Sequence, residues 1–391
     1  MLKNSIIILV IALCSLQCFA ANDGLRVTAE NTLNIPRASE TITLQFKELQ
    51  KHLKSPAAER IVVREHPSGE RIASQVIDID LDGTADELIF QADFKAKESK
   101  DFSVEVSEDP LRKAFKSKVF GRFVPERKDD FAWENDRIAF RMYGPELQRT
   151  KVHGLTSSGI DVWCKRVDYL IIDKWYKMGD DYYHEDRGEG ADFYSTGPGR
   201  GCGGTGIWQD GKLYVSENYV SWKVIANGPV RTIFELTYKP WDVEGQKISE
   251  VKRIILDAGQ NLNRFESTFN TSDKEKEITF AVGIAKHEET AIVSLNKKAG
   301  ISRVWEPMKK GAGSLGCGVV VEPTKVVDIV EADEQVFLIA KATPGKSAAY
   351  YAGAGWSKSG DFTNVLDWDD YLKQFAQRLQ SPLKITLISQ N

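Results

Sequence analysis

Histidine and cysteine, the residues that most often bind transition metals, are scarce in this sequence. The 391 residues contain five of each. Neither an HExxH pattern nor a CxxC pair is present, so a catalytic zinc centre is not expected. The histidines are isolated along the chain, and each is interpreted as an acid–base group or as a structural residue.

An excess of one charge is also absent. The chain has 52 Lys and Arg residues and 56 Asp and Glu residues, which gives a formal net charge of −4. This balance excludes the basic surface that nucleic-acid binding requires. A composition of 42% hydrophobic and 28% charged residues excludes disordered, collagen-like and coiled-coil chains.

Long hydrophobic runs are missing outside the N-terminal segment, where residues 6–13 are apolar. Lys3 precedes this run and small residues ending at Ala20 follow it, a pattern typical of a secretory signal peptide. The run is shorter than the roughly 20 residues that a membrane span requires. The sequence therefore predicts a secreted, periplasmic protein without a membrane span, from which residues 1–20 are removed. The cysteines that remain, enough for at most one disulfide, are Cys164, Cys202 and Cys317.

Short strand-like runs separated by turn residues dominate the rest of the chain. Residues 21–107 are predicted to form a small β-unit, residues 108–130 a linker, and residues 131–391 a catalytic antiparallel β-sandwich domain. Apolar residues at helical spacing from Trp368 to Leu379, followed by Pro382, predict a C-terminal helix. The predicted fold class is mainly β.

A polar segment from Tyr182 to Gly206 is the most informative part of the sequence. It runs for about 25 residues without apolar periodicity, and such segments in compact domains are usually functional. Its six glycines between positions 197 and 206 allow the backbone to approach a ligand closely. A glycine-rich crossover with a solvated face is the alternative. The candidate site residues in this segment are Tyr183, His184, Arg187, Glu189 and Arg200.

Residues 201–206 match the GxGxxG dinucleotide-binding pattern. That pattern requires a following helix, whereas residues 207–212 have the pattern of a strand and a turn. No nicotinamide or other organic cofactor is therefore expected.

Aromatic residues are concentrated between residues 163 and 222, where 12 of 60 positions are aromatic against a chain average of 10%. Trp163 and Trp208 are candidates for stacking against sugar rings. Core packing between sheets is an equally good explanation for each ring.

An aspartate loop at residues 78–86 has the spacing of a calcium site. Its carboxylates lie at loop positions 1, 3, 5 and 9, with a glycine at position 6. Strand-like residues flank the loop, so it resembles the calcium-binding hairpin loops of secreted proteins rather than an EF-hand. The alternative is an Asp-Gly turn whose carboxylates accept backbone hydrogen bonds. The four predicted ligands of a structural calcium ion are Asp78, Asp80, Asp82 and Asp86.

Several motifs together resemble a family of secreted bacterial proteins that accompany polysaccharide-degradation genes. The motifs are Tyr143-Gly144-Pro145 and residues 158–166, 173–176, 183–190 and 200–204. The resemblance covers most of the mature chain. It implies an oligosaccharide dehydratase activity in the breakdown of ulvan, a sulfated algal polysaccharide. It also implies the large β-sandwich of mutarotase-like and lyase-like sugar enzymes.

Dehydration of a terminal uronic acid requires three groups. A base removes the C5 proton, a cation or dense hydrogen bonding stabilises the enediolate, and an acid protonates the departing 4-hydroxyl. The candidate acid–base residues are Tyr143, Tyr183, His184 and His287. The candidate carboxylate-binding residues are Arg187 and Arg200.

The sequence thus predicts a hydro-lyase that forms an unsaturated uronic acid at the non-reducing end of acidic oligosaccharides. Two alternatives stay open. A polysaccharide lyase would use the same acid–base groups but would expel a sugar instead of water. A carbohydrate-binding protein would keep the aromatic and arginine residues without needing His184 or Tyr183.

Overall fold

The computed structural model describes residues 24–389, except residues 55, 108, 110–113, 151–154, 156–157 and 333. The predicted signal peptide and its cleavage site lie outside these residues. Strands dominate the described part of the chain, and none of its helices is long and apolar enough to cross a membrane. The prediction of a mainly β fold with a C-terminal helix is confirmed.

The strands are numbered in chain order. The first twelve are β1 Gly24–Glu30, β2 Arg37–Gln45, β3 Ile61–Glu65, β4 Arg71–Ile72, β5 Ser74–Ile77, β6 Glu87–Phe94, β7 Ser99–Val106, β8 Val119–Val124, β9 Asp130–Asn135, β10 Ile138–Met142, β11 Ile160–Lys165 and β12 Gly190–Ala191. The others are β13 Cys202–Gln209, β14 Lys212–Tyr214, β15 Ser221–Asn227, β16 Arg231–Val243, β17 Gln246–Asp257, β18 Leu262–Thr271, β19 Ile278–Ala285, β20 Ile292–Asn296, β21 Ile301–Pro307, β22 Ser314–Val320, β23 Val326–Ala332, β24 Gln335–Ala342, β25 Ser347–Trp356 and β26 Lys384–Ser389.

In the described part of the chain, five α-helices interrupt the strands: α1 Phe46–Leu49, α2 Pro145–Arg149, α3 Ile172–Met178, α4 Asp180–Tyr183 and α5 Val365–Gln380. Single 3₁₀ turns occur at Ala58–Arg60, Pro125–Arg127, Lys309–Gly311 and Pro323–Lys325.

The N-terminal unit consists of two small sheets, in the orders β26-β1-β7-β3-β4 and β2-β6-β5. Its core joins residues such as Val27, Phe90 and Phe102. The last strand, β26, pairs with β1 and packs Ile385 against this core. The predicted unit of residues 21–107 therefore also includes the C-terminal strand. This pairing was not predictable from local sequence, because it joins segments more than 350 positions apart.

The predicted linker at residues 108–130 was too long. Its second half forms β8, which pairs with β9 along residues 119–124. The apolar side chains Val119 and Val124 are buried there, which explains why this stretch is a strand rather than a connection.

Three sheets form the larger part of the molecule. An eight-stranded sheet has the order β15-β16-β17-β18-β25-β22-β21-β20. It packs through one hydrophobic core against two five-stranded sheets, β14-β13-β19-β24-β23 and β12-β11-β10-β9-β8. The second of these is called the site sheet below.

Strand alternation gives the site sheet two different faces. Phe131, Phe140 and Val162 point into the core shared with the eight-stranded sheet. The alternate positions place charged residues on the opposite, outer face, since successive side chains of a strand point to opposite sides. Arg141 on β10 is directly opposite Asp161 on β11. Helices α3 and α4 cover this outer face through Trp175 and Tyr183, among other residues.

Helix α5 packs against strands β21 and β22 of the eight-stranded sheet. Asn364 caps its first turn by accepting hydrogen bonds from Leu366 N–H and Asp367 N–H. Trp368, Leu372 and Phe375 form its buried stripe, at the helical spacing that the sequence showed.

Candidate active site

A buried guanidinium lies at the centre of the outer face of the site sheet. Arg141 Nη2 donates to Asp161 Oδ2 at 2.6 Å and to Asp192 Oδ2 at 2.8 Å. Asp130 Oδ2 lies 3.9 Å from Arg141 Nε. Three carboxylates thus surround one fully buried cation. We call this group, together with the side chains that contact it, the Arg141 site.

Aromatic rings enclose the guanidinium. The Arg141 Cζ atom lies 5.3 Å from the Tyr143 ring, 5.1 Å from the Trp163 ring and 5.8 Å from the Tyr183 ring. Such cation–π contacts stabilise a desolvated cation. Thr196 links the site further, since Tyr143 Oη donates to Thr196 Oγ1 at 3.3 Å.

Several buried polar atoms of this site have no hydrogen-bond partner in the described structure. They are Arg127 Nη1, Asp130 Oδ2, Arg141 Nη1, Trp163 Nε1, Tyr176 Oη and Asp192 Oδ1. Buried polar atoms are nearly always paired. Their concentration in one place indicates a site that water or a polar ligand completes.

His184 lies at the mouth of the site and is half exposed. Its Nδ1 lies 2.8 Å from the carbonyl oxygen of Asp180, and its Nε2 lies 3.4 Å from Asp192 Oδ2. The Asp192 carboxylate raises the pKa of His184 above its usual value, against the effect of burial. Because both ring nitrogens face acceptors, the imidazolium is the favoured form. His184 is therefore the exposed end of a series of polar contacts that continues through Asp192 to Arg141.

Burial raises the pKa of two carboxyl groups in the site. The pKa of Asp130 reaches about 7, although Arg141 and Arg127 both act to lower it. Burial and the neighbouring Asp192 raise the pKa of Asp161 to about 6, against the lowering effect of Arg141. Carboxyl groups that titrate near neutral pH are frequent at functional sites.

The two predicted tyrosines are both buried in this site. Burial raises the pKa of Tyr183 to about 12, and it raises the pKa of Tyr143 well above its usual range. Both side chains are therefore neutral phenols at neutral pH. The Tyr183 hydroxyl donates to Asp180 Oδ1, so a proton acceptor is already in contact with it.

His287, the fourth predicted acid–base residue, lies outside this group. Its Nδ1 lies 2.5 Å from Glu306 Oε1 and its Nε2 lies 2.5 Å from the carbonyl oxygen of Ser195. Burial lowers the pKa of His287, but the Glu306 carboxylate and the Ser195 carbonyl oxygen together raise it, and the net shift is upward. Both ring nitrogens are occupied by protein acceptors. His287 thus holds the segment that carries Asp192 and Thr196.

Arg200 is not placed as a substrate-binding residue. Its side chain is only 1% exposed, and its guanidinium donates to protein oxygens, including the carbonyl oxygens of Pro198 and Thr205. Burial lowers its pKa to about 10. The expectation that flanking glycines present this guanidinium to a ligand is wrong for the described geometry.

The glycines beside Arg200 allow close packing of protein backbone. A Cβ atom on Gly201 would lie 2.0 Å from the carbonyl oxygen of Ile160, and one on Gly204 would lie 2.6 Å from that of Ser158. Residues 202–209 form β13 rather than a helix, in agreement with the rejection of a dinucleotide-binding loop.

The other predicted binding residues are spread over different surroundings. Arg187 is exposed and pairs with Glu185. Glu189 is buried and accepts hydrogen bonds from Lys174 and Trp175. Trp163 is fully buried, and its ring lies 4.9 Å from that of Tyr183, so it is a wall of the Arg141 site and not an exposed sugar platform. Trp208 packs on Phe337, 5.5 Å away, in a separate cluster.

The aspartate loop connects β5 to β6, as the flanking strand pattern indicated. Carboxylate oxygens of Asp78, Asp80 and Asp86 lie within 4.8 Å of one another. Asp82 does not join them, and its Oδ1 accepts from Thr84 N–H at 2.7 Å. The carboxylates also accept other backbone N–H groups, such as that of Gly83 on Asp78. Calcium binding stays a prediction, now with three carboxylate ligands instead of four.

Sequence analysis did not single out Asp130, Arg141 or Asp161. Each is a charged residue that alternates with apolar residues in a short strand, a pattern that normally indicates a solvated face. All residues of β9, β10 and β11 are nevertheless buried. The signal that could have identified the site is the occurrence, close together in sequence, of three short strands in which a charged residue alternates with apolar residues.

A groove of about 960 Å³ lies elsewhere, beside α5 and the ends of β24 and β25. Lys325, Lys341 and Glu277 are among its lining residues, and none of the lining residues belongs to the Arg141 site. The site is therefore defined by its polar groups and not by the size of a cavity.

The three cysteines Cys164, Cys202 and Cys317 are buried and free in this structure. Burial raises the pKa of Cys164 and of Cys317 well above the usual value. A high thiol pKa disfavours the thiolate, so neither residue has the properties of a nucleophile.

Comparison with solved structures gives the fold. The chain is similar to a protein in the Glycosyl Hydrolase Family 38 from Enterococcus faecalis, with a TM-score of 0.50 and 12% identity over 94% of this chain and 48% of that one. An alpha-mannosidase from Enterococcus faecalis V583 gives a TM-score of 0.52 and 11% identity, over 94% and 46% of the two chains. The chain thus spans about half the length of these enzymes, and at this identity the likeness concerns the β-sandwich architecture alone.

Sequence relatives are more informative. The chain is 34% identical over 374 residues to the uncharacterized protein P7 of Formosa agariphila, covering 92% of this chain and 93% of P7. The family described as "Domain of unknown function (DUF4861)" matches residues 29–385. Because this match spans the N-terminal unit, the sandwich and the Arg141 site, the chain belongs to the DUF4861 family.

Proposed function

We propose that this protein is a carbon–oxygen lyase that removes water from the non-reducing-end uronic acid of acidic, ulvan-type oligosaccharides. The Arg141 site carries the proposal, because it combines an exposed histidine with buried cations and polar atoms that lack partners. The resemblance of its motifs to an oligosaccharide dehydratase family supports the choice of reaction.

The guanidinium groups of Arg127 and Arg141 supply the positive charge that the reaction needs. Abstraction of the C5 proton places negative charge on the uronate carboxylate, and preorganised donors in a dry site stabilise such charge strongly. Arg127 is the more accessible of the two, with 20% of its side chain exposed.

His184 is the proposed proton donor to the departing 4-hydroxyl. Its contacts with Asp180 and Asp192 favour the imidazolium, which is the form that can donate. Tyr183 lies beside it, with 4.7 Å between the ring centroids. We assign removal of the C5 proton to Tyr183. The Tyr183 oxygen accepts this proton from the substrate, and at the same time its own hydroxyl proton moves to the Asp180 carboxylate.

The decisive experiment is mass analysis of the products from saturated uronic-acid oligosaccharides. The proposal expects a product lighter by one water, with every sugar retained, and the ultraviolet absorbance of a conjugated unsaturated acid. Shorter oligosaccharides would make the protein a polysaccharide lyase. Unchanged substrate across a broad panel of uronic acids would contradict an enzymatic function and favour a binding protein.

Variants then test the assigned groups. His184→Gln and Tyr183→Phe should each lower the rate by about 10²–10⁴, with the melting temperature little changed for the half-exposed His184. His52→Gln is the matched control, because His52 is bonded to Ser389 in the N-terminal unit. Equal effects of the two histidine variants would contradict the role of His184.

A further inference from the structure

The two arginines of the Arg141 site lie against the same ring. The Cζ atom of Arg127 is 5.9 Å from the Tyr143 ring centroid, and that of Arg141 is 5.3 Å from it. In each guanidinium, the buried Nη1 atom has no hydrogen-bond partner among the residues that the structure describes. Two adjacent cations with donors to spare form a site for an oxyanion.

Asp130 is the carboxylate that lies near both arginines, whereas Asp161 and Asp192 are hydrogen-bonded to Arg141. Asp130 Oδ2 lies 3.2 Å from Arg127 Nη1 and 3.9 Å from Arg141 Nε. Neither contact has hydrogen-bond geometry, because Asp130 Oδ2 and Arg127 Nη1 are both without a hydrogen-bond partner. The contact between Asp130 and the arginines is thus electrostatic and leaves the guanidinium donors available.

We propose that Arg127 and Arg141 form a subsite for the carboxylate of the substrate, and that Asp130 is their exchangeable counter-ion, which takes up a proton from solvent when the carboxylate binds. This inference rests on the proposed function for the identity of the ligand. The only chemical change at Asp130 is protonation of its carboxylate by a proton from solvent, so no further reactant is needed.

The physical reason is repulsion between like charges. A substrate carboxylate that reaches Arg127 enters next to Asp130, and when two carboxylates come this close, the pKa of one of them is strongly raised. The pKa of Asp130, already about 7 through burial, rises further on binding. The arriving carboxylate therefore replaces the Asp130 charge and leaves the net charge of the site unchanged.

Among the groups facing Asp130, Asp161 also titrates near neutral pH, because burial and the neighbouring Asp192 raise its pKa to about 6. Arg127, Arg141 and Asp161 act on it as charges, and Gly144 N–H donates to its Oδ1. Tyr176 and Tyr219 also face it, and both have a raised pKa because of burial. His184 belongs to the same site through Asp192, so the test must separate its titration from that of Asp130. The charged and titratable groups around Asp130 are therefore Arg127, Arg141, Asp161, Tyr176 and Tyr219, with Asp192 and His184 one contact farther away.

The test is calorimetric titration with the methyl glycoside of 4-deoxy-glucuronate, which keeps the carboxylate but has no 4-hydroxyl to lose. Proton uptake is obtained from titrations in buffers of different ionisation enthalpy. Wild-type protein should take up protons on binding, and its affinity should fall by up to about tenfold per pH unit above pH 7. Asp130→Asn should take up fewer protons on binding than the wild type, because the proton that Asp130 accepts is lost. His184→Gln should still show the proton uptake of Asp130.

Charge variants and neutral probes complete the design. Arg127→Gln should weaken binding of the acid by about 10- to 100-fold and should not change binding of the methyl ester. Arg253→Gln is the matched control, since Arg253 has a similarly exposed side chain but donates to Glu235 in the eight-stranded sheet. Inorganic sulfate at the same ionic strength should displace the probe only with a lower affinity than that of the probe itself.

The proposal is overturned if the acid does not bind, if it binds no better than its methyl ester, or if sulfate displaces it with equal affinity. It is also overturned if Asp130→Asn takes up as many protons as the wild type. Binding with the expected proton uptake, but without dehydration of saturated oligosaccharides, would refute the proposed function and leave the carboxylate subsite standing.

Discussion

Replacing Arg141 by methionine should destabilise the protein strongly. The Arg141 side chain is 4% exposed, and its guanidinium pairs with Asp161 and Asp192 at 2.6 and 2.8 Å. The substitution keeps the bulk of the side chain but leaves buried carboxylates without a counter-charge. Removing one partner from a buried ion pair typically costs about 3–5 kcal/mol, and we expect a loss in this range for Arg141→Met.

The assay is urea unfolding near pH 7, followed by tryptophan fluorescence. Arg137→Met is the matched control, because Arg137 precedes the same strand and pairs with Asp361 at 2.7 Å with 43% of its side chain exposed. An exposed pair contributes about 0–1 kcal/mol. The double variant Arg141→Met, Asp161→Asn should lose less than Arg141→Met alone, because one uncompensated charge has been removed with its partner.

A loss below about 1 kcal/mol for Arg141→Met would refute the reasoning. It would mean that solvent reaches Asp161 and Asp192 freely, so that their charges need no internal cation. The Arg141 site would then be an open polar surface and not a desolvated one.

Three further predictions concern other positions. Because burial raises the pKa of Asp130 from 3.8 to about 7, the folded state binds its proton more tightly, and this contribution to stability is lost as pH rises from about 4 to about 7. Urea unfolding across that range should show a steeper loss of stability in the wild type than in Asp130→Asn, because Asp161, whose pKa is raised to about 6, contributes the same trend in both proteins. Parallel curves would contradict this prediction. Gly201→Ala should lower the free energy of unfolding by more than about 1 kcal/mol, because φ is +60° and the new Cβ would lie 2.0 Å from Ile160 O. Gly211 also has a positive φ but has open space around it, so Gly211→Ala should lose less stability. Equal losses in the two variants would refute the packing argument. Calcium added after chelation should raise the melting temperature through the aspartate loop, and calorimetry without any heat of binding would favour the simple turn.

Local sequence predicted those parts of the fold that depend on local pattern. The C-terminal helix was evident from the spacing of Trp368, Leu372 and Phe375, and the β content from alternating runs. The pairing of β26 with β1 depends on distant segments, so a pass along the chain could not reveal it. The same reason explains the misplaced linker, because β8 is recognisable as a strand only beside its partner β9.

Only part of the candidate site could be predicted from the sequence, because its residues also come from distant segments. The polar segment directed attention to His184 and Tyr183, and the structure brings both to the Arg141 site. Arg200 was selected from its glycine neighbours, yet those glycines accommodate the backbone of residues 158–160. Whether a charged residue faces solvent or a buried network depends on what covers its strand, and this information is absent from the strand itself.

The outer face of the site sheet and the segment that covers it depend on each other. Arg141 and Asp161 are already opposite one another on adjacent strands, but Asp192 and His184 come from the covering segment, which His287 holds through Ser195. The sandwich core on the other face fixes the register of the strands and takes no part in these contacts. A likeness of the sandwich to alpha-mannosidase domains therefore concerns the scaffold. The candidate site lies on the charged outer face, and comparisons within the DUF4861 family should be made there, residue by residue.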